Sequence, residues 1–111
     1  MMDDLDDVAP EDQVKVAVEL LRAHDPRWLA HPATGLMIVT LAWEDGTVDT
    51  LMLLSPDRAY GVRESADGRQ PWSTNGTLQQ VIDLARRDLV SPDSPGAPQA
   101  LGSDLPRAEW R

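Results

Sequence analysis

Cysteine is absent from the 111-residue sequence, and its absence excludes several kinds of chemistry. Without thiols the chain forms no disulfide bond, offers no thiolate nucleophile and has no metal site of the cysteine type. Phenylalanine is also absent and tyrosine occurs once, so the core must consist mainly of leucine, valine, alanine, methionine and tryptophan. The four tryptophans are Trp28, Trp43, Trp72 and Trp110.

Long apolar runs are absent too. No segment approaches the roughly 20 consecutive apolar residues that a membrane-spanning helix requires. The N-terminal stretch, MMDDLDDVAP, is acidic where a signal peptide is basic. These features predict a cytoplasmic protein that does not contact membranes.

Basic residues are scarce, since 10 Lys and Arg stand against 19 Asp and Glu and give a net charge of −9 at pH 7. Binding nucleic acid requires Lys and Arg against the phosphates, so we expect no nucleic-acid partner. An acidic surface attracts basic proteins, or it only keeps the chain soluble, and the sequence leaves both readings open. Lys15 is the single lysine, which together with abundant Ala and Asp is typical of a GC-rich bacterial genome.

Catalytic and metal-binding motifs are missing as well. The two histidines, His24 and His31, flank a proline-containing connector, whereas a zinc site needs three or four ligands held by rigid elements. The glycines form no phosphate-binding loop, and no serine has the flanking glycines of a nucleophile elbow. The acidic N-terminus lacks the glycine and glutamate of a calcium-binding loop. We therefore expect no catalytic residue, no cofactor and no metal.

Two segments have the periodicity of amphipathic helices. Residues 10–24 begin with Pro10, which suits a first helical turn, and Asp25-Pro26 ends the helix. The second helix starts after Thr77, whose spacing to Gln80 predicts a capping box. Its predicted buried stripe consists of Leu78, Val81, Ile82, Ala85 and Leu89.

The segment between the helices is rich in β-forming residues. Strands are predicted over residues 36–43, 48–55 and 59–63, with a brief edge strand at 70–73 as an alternative. The predicted fold is α+β: an N-terminal helix, a three-stranded or four-stranded antiparallel meander, then a second helix. The single domain is expected to span residues 10–90, between a flexible acidic N-terminus over 1–9 and a Pro-rich extended or disordered tail over 91–111.

The hairpin between the first two strands raises the question of what covers it. A two-residue Asp45-Gly46 loop pairs Trp43 with Val48, and one face then carries Leu36, Ile38, Leu51 and Leu53. If both helices cover the other face, these four form an exposed apolar patch of the kind that marks an interface. Burying them in an interface contributes on the order of 6 to 10 kcal/mol before ordering costs.

Three alternatives to this patch stay open. A bulged three-residue turn shifts the register by one residue. The helices can also cover opposite faces of the sheet, or Trp28 and Trp110 can fold over the second face.

The functional prediction is a non-catalytic, acidic protein-interaction module, such as an immunity protein, an adaptor, a chaperone-like protein or a regulatory subunit. It self-associates or binds a partner protein through the apolar sheet face. The predicted interface residues are Leu36, Ile38, Leu51, Leu53, Trp43 and Trp110. The alternative is a small-ligand-binding protein or minor enzyme with a pocket lined by Trp28, Trp43, Tyr60 and Trp72.

Overall fold

The two predicted helices form where the sequence places them. The computed structural model describes residues 5–98, in which two 3-10 helices, Leu5–Asp7 and Pro10–Asp12, precede helix α1, Gln13–His24. Pro10 is the first residue of the second 3-10 helix. The helix predicted to begin at residue 10 therefore begins as a 3-10 turn and becomes α-helical at Gln13. Leu5 lies in the segment that was expected to be flexible, but it is buried in the core.

Helix α2, Leu78–Asp88, begins with the predicted capping box. The Gln80 backbone N–H donates to Thr77 Oγ1 at 3.1 Å, and the Thr77 N–H donates to Gln80 Oε1 at 3.0 Å. These two bonds satisfy donors that the first turn of a helix leaves without intrahelical partners. In residues 5–98 no helix is both long enough and apolar enough to cross a membrane.

The sheet has five antiparallel strands in sequence order, where the sequence predicted three or four. Their bounds are β1 Leu29–Ala33, β2 Leu36–Ala42, β3 Val48–Ser55, β4 Arg58–Glu64 and β5 Trp72–Gly76. The strand that sequence reasoning missed is β1, because Pro32 made this segment read as a connector. Proline is tolerated in β1 because β1 is an edge strand, which leaves one side of its backbone unpaired.

The predicted register of the β2–β3 hairpin is wrong by one residue. Trp43 N–H donates to Thr47 O at 2.8 Å and Gly46 N–H donates to Trp43 O at 3.1 Å, so the loop holds three residues and not two. Gly46 adopts a φ of 93°, which glycine alone adopts without strain. Val39 consequently pairs with Leu51. A shift of one residue transfers the side chains of a strand to the opposite face.

The apolar patch predicted from the two-residue loop is therefore not formed. Leu51 and Leu53 share a face with Val39 and lie in the core beneath the helices. Leu36 and Ile38 lie on the opposite face and are half-buried. The sheet contributes five buried hydrophobic residues to the core, namely Val39, Leu41, Leu51, Leu53 and Ala59.

Candidate interaction surface

The face of the sheet opposite the helices is a continuous surface that we call the open face. In an antiparallel sheet directly paired residues stand on the same face, and every second residue of a strand belongs to it. The register assigns to the open face Leu29, His31, Ala33, Leu36, Ile38, Thr40, Ala42, Val48, Thr50, Met52, Arg58, Tyr60, Val62, Glu64, Ser73 and Asn75. In residues 5–98 the buried side chains of both helices pack on the other face.

The open face carries the most exposed large hydrophobic side chains of the described residues. These are Leu29, Val48 and Met52, which are 54%, 36% and 37% exposed. They belong to the edge strand β1 and to the central strand β3, and Ile38 and Val62 lie near them, half-buried. A set of neighbouring exposed apolar side chains on one face of a sheet is a feature of interaction sites and is uncommon elsewhere on a folded protein.

Two cross-strand rows make up the middle of the open face. The first row consists of His31, Ile38, Met52, Tyr60 and Asn75. The second row consists of Leu29, Thr40, Thr50, Val62 and Ser73. On the three central strands the first row carries the longer side chains, Ile38, Met52 and Tyr60. The second row carries the shorter ones, Thr40, Thr50 and Val62.

Formal charge on the open face is confined to the two ends of β4. Arg58 lies at one end and Glu64 at the other, and both are exposed. The Arg58 guanidinium donates to the Tyr60 hydroxyl at 2.8 Å, and this hydrogen bond raises the pKa of the arginine. The open face is thus balanced in charge although the whole chain carries −9.

The face of the sheet that packs beneath the helices, which we call the covered face, has a buried ion pair near the β2–β3 turn. Arg63 donates to Asp49 through two bonds, Nε to Oδ1 at 2.6 Å and Nη2 to Oδ2 at 2.9 Å. Arg63 is 1% exposed and Asp49 is 0% exposed. The correct register makes these residues direct cross-strand partners. Sequence reasoning missed the pair because it assigned no register between β3 and β4.

Two further hydrogen bonds connect this ion pair to the rest of the chain. Trp43 Nε1 donates to Asp49 Oδ2 at 2.7 Å, and Arg63 Nη2 donates to the Val90 carbonyl at 2.7 Å. The pair therefore joins β3 and β4 to the turn and to the segment that follows α2. Removing either charge would leave the other buried without its partner, which is costly in a low-dielectric interior.

Trp43, a predicted interface residue, lies at this turn and not at the centre of the open face. Its ring centroid is 4.4 Å from Arg27 Cζ and 5.5 Å from Arg63 Cζ, distances typical of cation–π contacts. Arg27 also binds Asp25, and its hydrogen bond lowers the pKa of that carboxyl. A cleft of ≈ 310 Å³ beside Trp43 is lined by Arg27, Trp43, Glu44, Asp45, Ser91, Pro92 and Asp93.

The four aromatic residues predicted to line a ligand pocket do not come together. Trp28 is buried in the core, and Trp72 packs on the covered face, where its indole N–H donates to Asp88 Oδ2 at 3.0 Å. A Cβ at Gly61 would lie 2.9 Å from the Trp72 ring, so glycine makes room for the indole. Tyr60 lies on the open face, on the other side of the sheet from Trp72.

The remaining predictions concern metals and the tail. His31 lies on the open face, with Nε2 at 3.0 Å from Thr40 Oγ1, and His24 is exposed at the end of α1. Within the part of the chain that the structure describes, no three His, Asp or Glu residues are grouped closely enough to hold a metal. Trp110 lies outside the described residues.

No protein-family model, curated protein or solved structure matches the chain.

Proposed function

We propose that the protein is a non-catalytic interaction module that binds a partner protein through the open face. One observation carries this proposal: Leu29, Val48 and Met52, the exposed large hydrophobic residues, all lie on the same side of the sheet. Both helices pack on the opposite side. A partner that covers the open face would complete a second apolar layer. The candidate classes are an immunity protein, an adaptor, a chaperone-like protein and a regulatory subunit.

The dimensions of the open face support a protein partner. Five strands about 4.8 Å apart, each rising about 3.3 Å per residue over roughly six residues, cover roughly 500 Å² in plan. Because side chains project from the sheet, the accessible area is larger than the area in plan. It comes close to the ~800 Å² that each partner buries in an interface of standard size. A small molecule would cover only a fraction of this surface.

The distribution of apolar side chains indicates where most of the binding energy would come from. Met52 occupies the middle strand and the middle of the first cross-strand row. Burying an apolar side chain contributes about 25 cal/mol for each Å² removed from water. Contacts near the centre of an interface generally contribute more than contacts at its rim. Met52 is therefore the residue whose change should affect binding most.

We favour this function over a small-ligand site for a geometric reason. The cleft beside Trp43 has a single aromatic wall, and the indole N–H that could orient a ligand already donates to Asp49. Most of its other lining residues are charged or proline. Ligand sites are usually lined mainly by apolar and aromatic side chains with few polar groups.

Photo-cross-linking in cells that express the protein tests the proposal. A benzophenone amino acid replaces Met52 in one variant and the exposed Glu19 of α1 in a control variant. We expect irradiation to give a protein adduct from position 52 and none from position 19. The absence of any adduct from position 52, in a variant whose circular dichroism matches that of the unmodified chain, would contradict the proposal.

A further inference from the structure

The open face has a symmetry in its charges that points to one occupant. Arg58 and Glu64 lie on the same face of β4, three residues on either side of Gly61, and they are opposite in sign. We propose that the open face is covered by a second copy of this chain, with the two sheets stacked face to face. This inference rests on the proposed function, because it names the partner of the same surface.

We place a two-fold axis midway between the two stacked sheets, parallel to their planes, so that it crosses the strands at the level of Gly61. This axis puts each β4 over the β4 of the other copy, with the two strands running in opposite directions. Arg58 of one copy then faces Glu64 of the second copy, and the same contact occurs twice, as the symmetry of a closed dimer requires. Stacked sheets rotate by about 30° relative to each other, which displaces the two charges by roughly 5 Å. The long arginine side chain spans that distance.

The same axis exchanges the two cross-strand rows of the open face. Met52 then lies over Thr50 of the second copy, Ile38 over Thr40, and Tyr60 over Val62. A long side chain therefore meets a short one at each of the three central strands, which is the interdigitation that close packing between sheets about 10 Å apart needs. A face with long side chains in both rows would lack this fit.

The charge distribution favours a second copy over a basic protein. The open face carries one positive and one negative residue, and the other acidic residues seen to be exposed within residues 5–98 lie on helices and turns outside it. A basic partner would be drawn to those turns rather than to the open face. Two copies of net charge −9 repel each other at long range, so added salt should strengthen the dimer by screening, whereas it would weaken binding to a basic protein.

Sedimentation equilibrium of the purified full chain over a range of concentrations tests the inference. We expect a mass of twice 12.2 kDa, which does not fall when salt is raised from about 0.05 to 0.5 M. Met52→Glu should give a monomer. A monomeric mass for the unmodified chain at every concentration would overturn the second copy as the occupant.

Charge exchange tests the proposed geometry. Arg58→Glu and Glu64→Arg should each raise the dissociation constant of the dimer about tenfold, because each creates two like-charge contacts. The double variant should return to within about threefold of the unmodified chain, and a mixture of the two single variants should form a mixed dimer. The matched controls Lys15→Glu and Glu19→Arg make the same charge changes on α1 and should leave dimerisation intact.

The outcomes separate this inference from the proposed function. A monomer whose position 52 cross-links in cells to a protein of a different mass would overturn the second copy and leave the interaction module standing. A monomer that gives no adduct from position 52 would overturn both. A double variant that dimerises as weakly as the single variants, with an unchanged circular dichroism spectrum, would show that the two-fold axis does not lie at the level of Gly61 and that Arg58 does not face Glu64.

Discussion

The two faces of the sheet use the same strands in different ways. On β3, Leu51 and Leu53 are fully buried beneath the helices, whereas Met52 between them is 37% exposed on the open face. The covered face is completed by the chain itself, with a buried ion pair at one end. The open face carries exposed apolar side chains, and in residues 5–98 no element covers them. A strand that does not alternate between apolar and polar residues therefore indicates two packing surfaces, of which the chain fills only one.

The largest effect expected on the covered face comes from breaking the buried ion pair. Asp49→Ala leaves Arg63 buried without its counter-charge, so we expect a loss of about 3–5 kcal/mol in the free energy of unfolding. Urea denaturation at pH 7 measures it. Asp67→Ala is the matched control, since Asp67 pairs with Arg69 at the surface, where water screens the pair, and its loss should reduce the free energy of unfolding far less. A loss below 1 kcal/mol for Asp49→Ala would contradict the role given to the pair.

Two neighbouring residues of β3 give the sharpest comparison of the faces. Leu51→Ala opens a cavity in the core and should destabilise the folded chain by about 2–5 kcal/mol. Because Met52 is 37% exposed on the open face, Met52→Ala should change the stability of the isolated monomer by less than about 1 kcal/mol, but it should weaken association. Urea denaturation at low protein concentration, compared with sedimentation at high concentration, separates the two effects. Equal losses of monomer stability would show that the faces do not differ as described.

A smaller effect is expected where α2 begins above the covered face. Thr77→Ala removes the side-chain acceptor for the Gln80 N–H and should reduce the free energy of unfolding by about 1 kcal/mol. Thr77→Ser keeps the hydroxyl and serves as the control. Thermal denaturation followed by circular dichroism measures the difference, and equal stability of the two variants would argue against the capping box.

The smallest effect is a dependence of stability on pH. Hydrogen bonds from Arg87 and then from Trp72 lower the pKa of Asp88 below the ordinary value of 3.8. The stabilisation is therefore present above about pH 4 and is lost as the pH falls through the lowered value. Asp88→Asn should reduce the slope of unfolding free energy against pH between pH 4 and 2. An unchanged slope in that range would show that Asp88 does not contribute to the pH dependence of stability.

The parts of the fold that local signals determine were predictable from the sequence. Periodicity and the Thr77 capping signal predicted both helices, and β-forming residues predicted the meander around Asp45-Gly46. Strand β1 was not predicted because Pro32 is a strong signal against a strand unless the strand lies at an edge. Whether a strand lies at an edge depends on the whole sheet, and no local pattern contains that information.

The candidate surface was predictable only in part: Leu36 and Ile38 lie on the open face, whereas Leu51 and Leu53 lie in the core. The absence of alternation in Leu51-Met52-Leu53 indicated apolar side chains on both faces. Which residues lie on which face depended on whether Gly46 closes a two-residue or a three-residue turn. Glycine suits both turns, so the register was ambiguous. The pairing of Asp49 with Arg63 depends on the register between β3 and β4, which the sequence analysis did not assign.

An isotope-filtered nuclear Overhauser experiment shows whether Met52 packs against a second copy of the chain. Equal amounts of chain with a ¹³C-labelled Met52 methyl group and of unlabelled chain are mixed, so that only contacts between copies are detected. We expect contacts from the Met52 methyl to the methyl groups of Thr50 and Val62 of the other copy. A Met52 methyl group that contacts only its own chain and water, at concentrations where Leu51 and Leu53 remain buried, would show that the open face is not covered by a second copy.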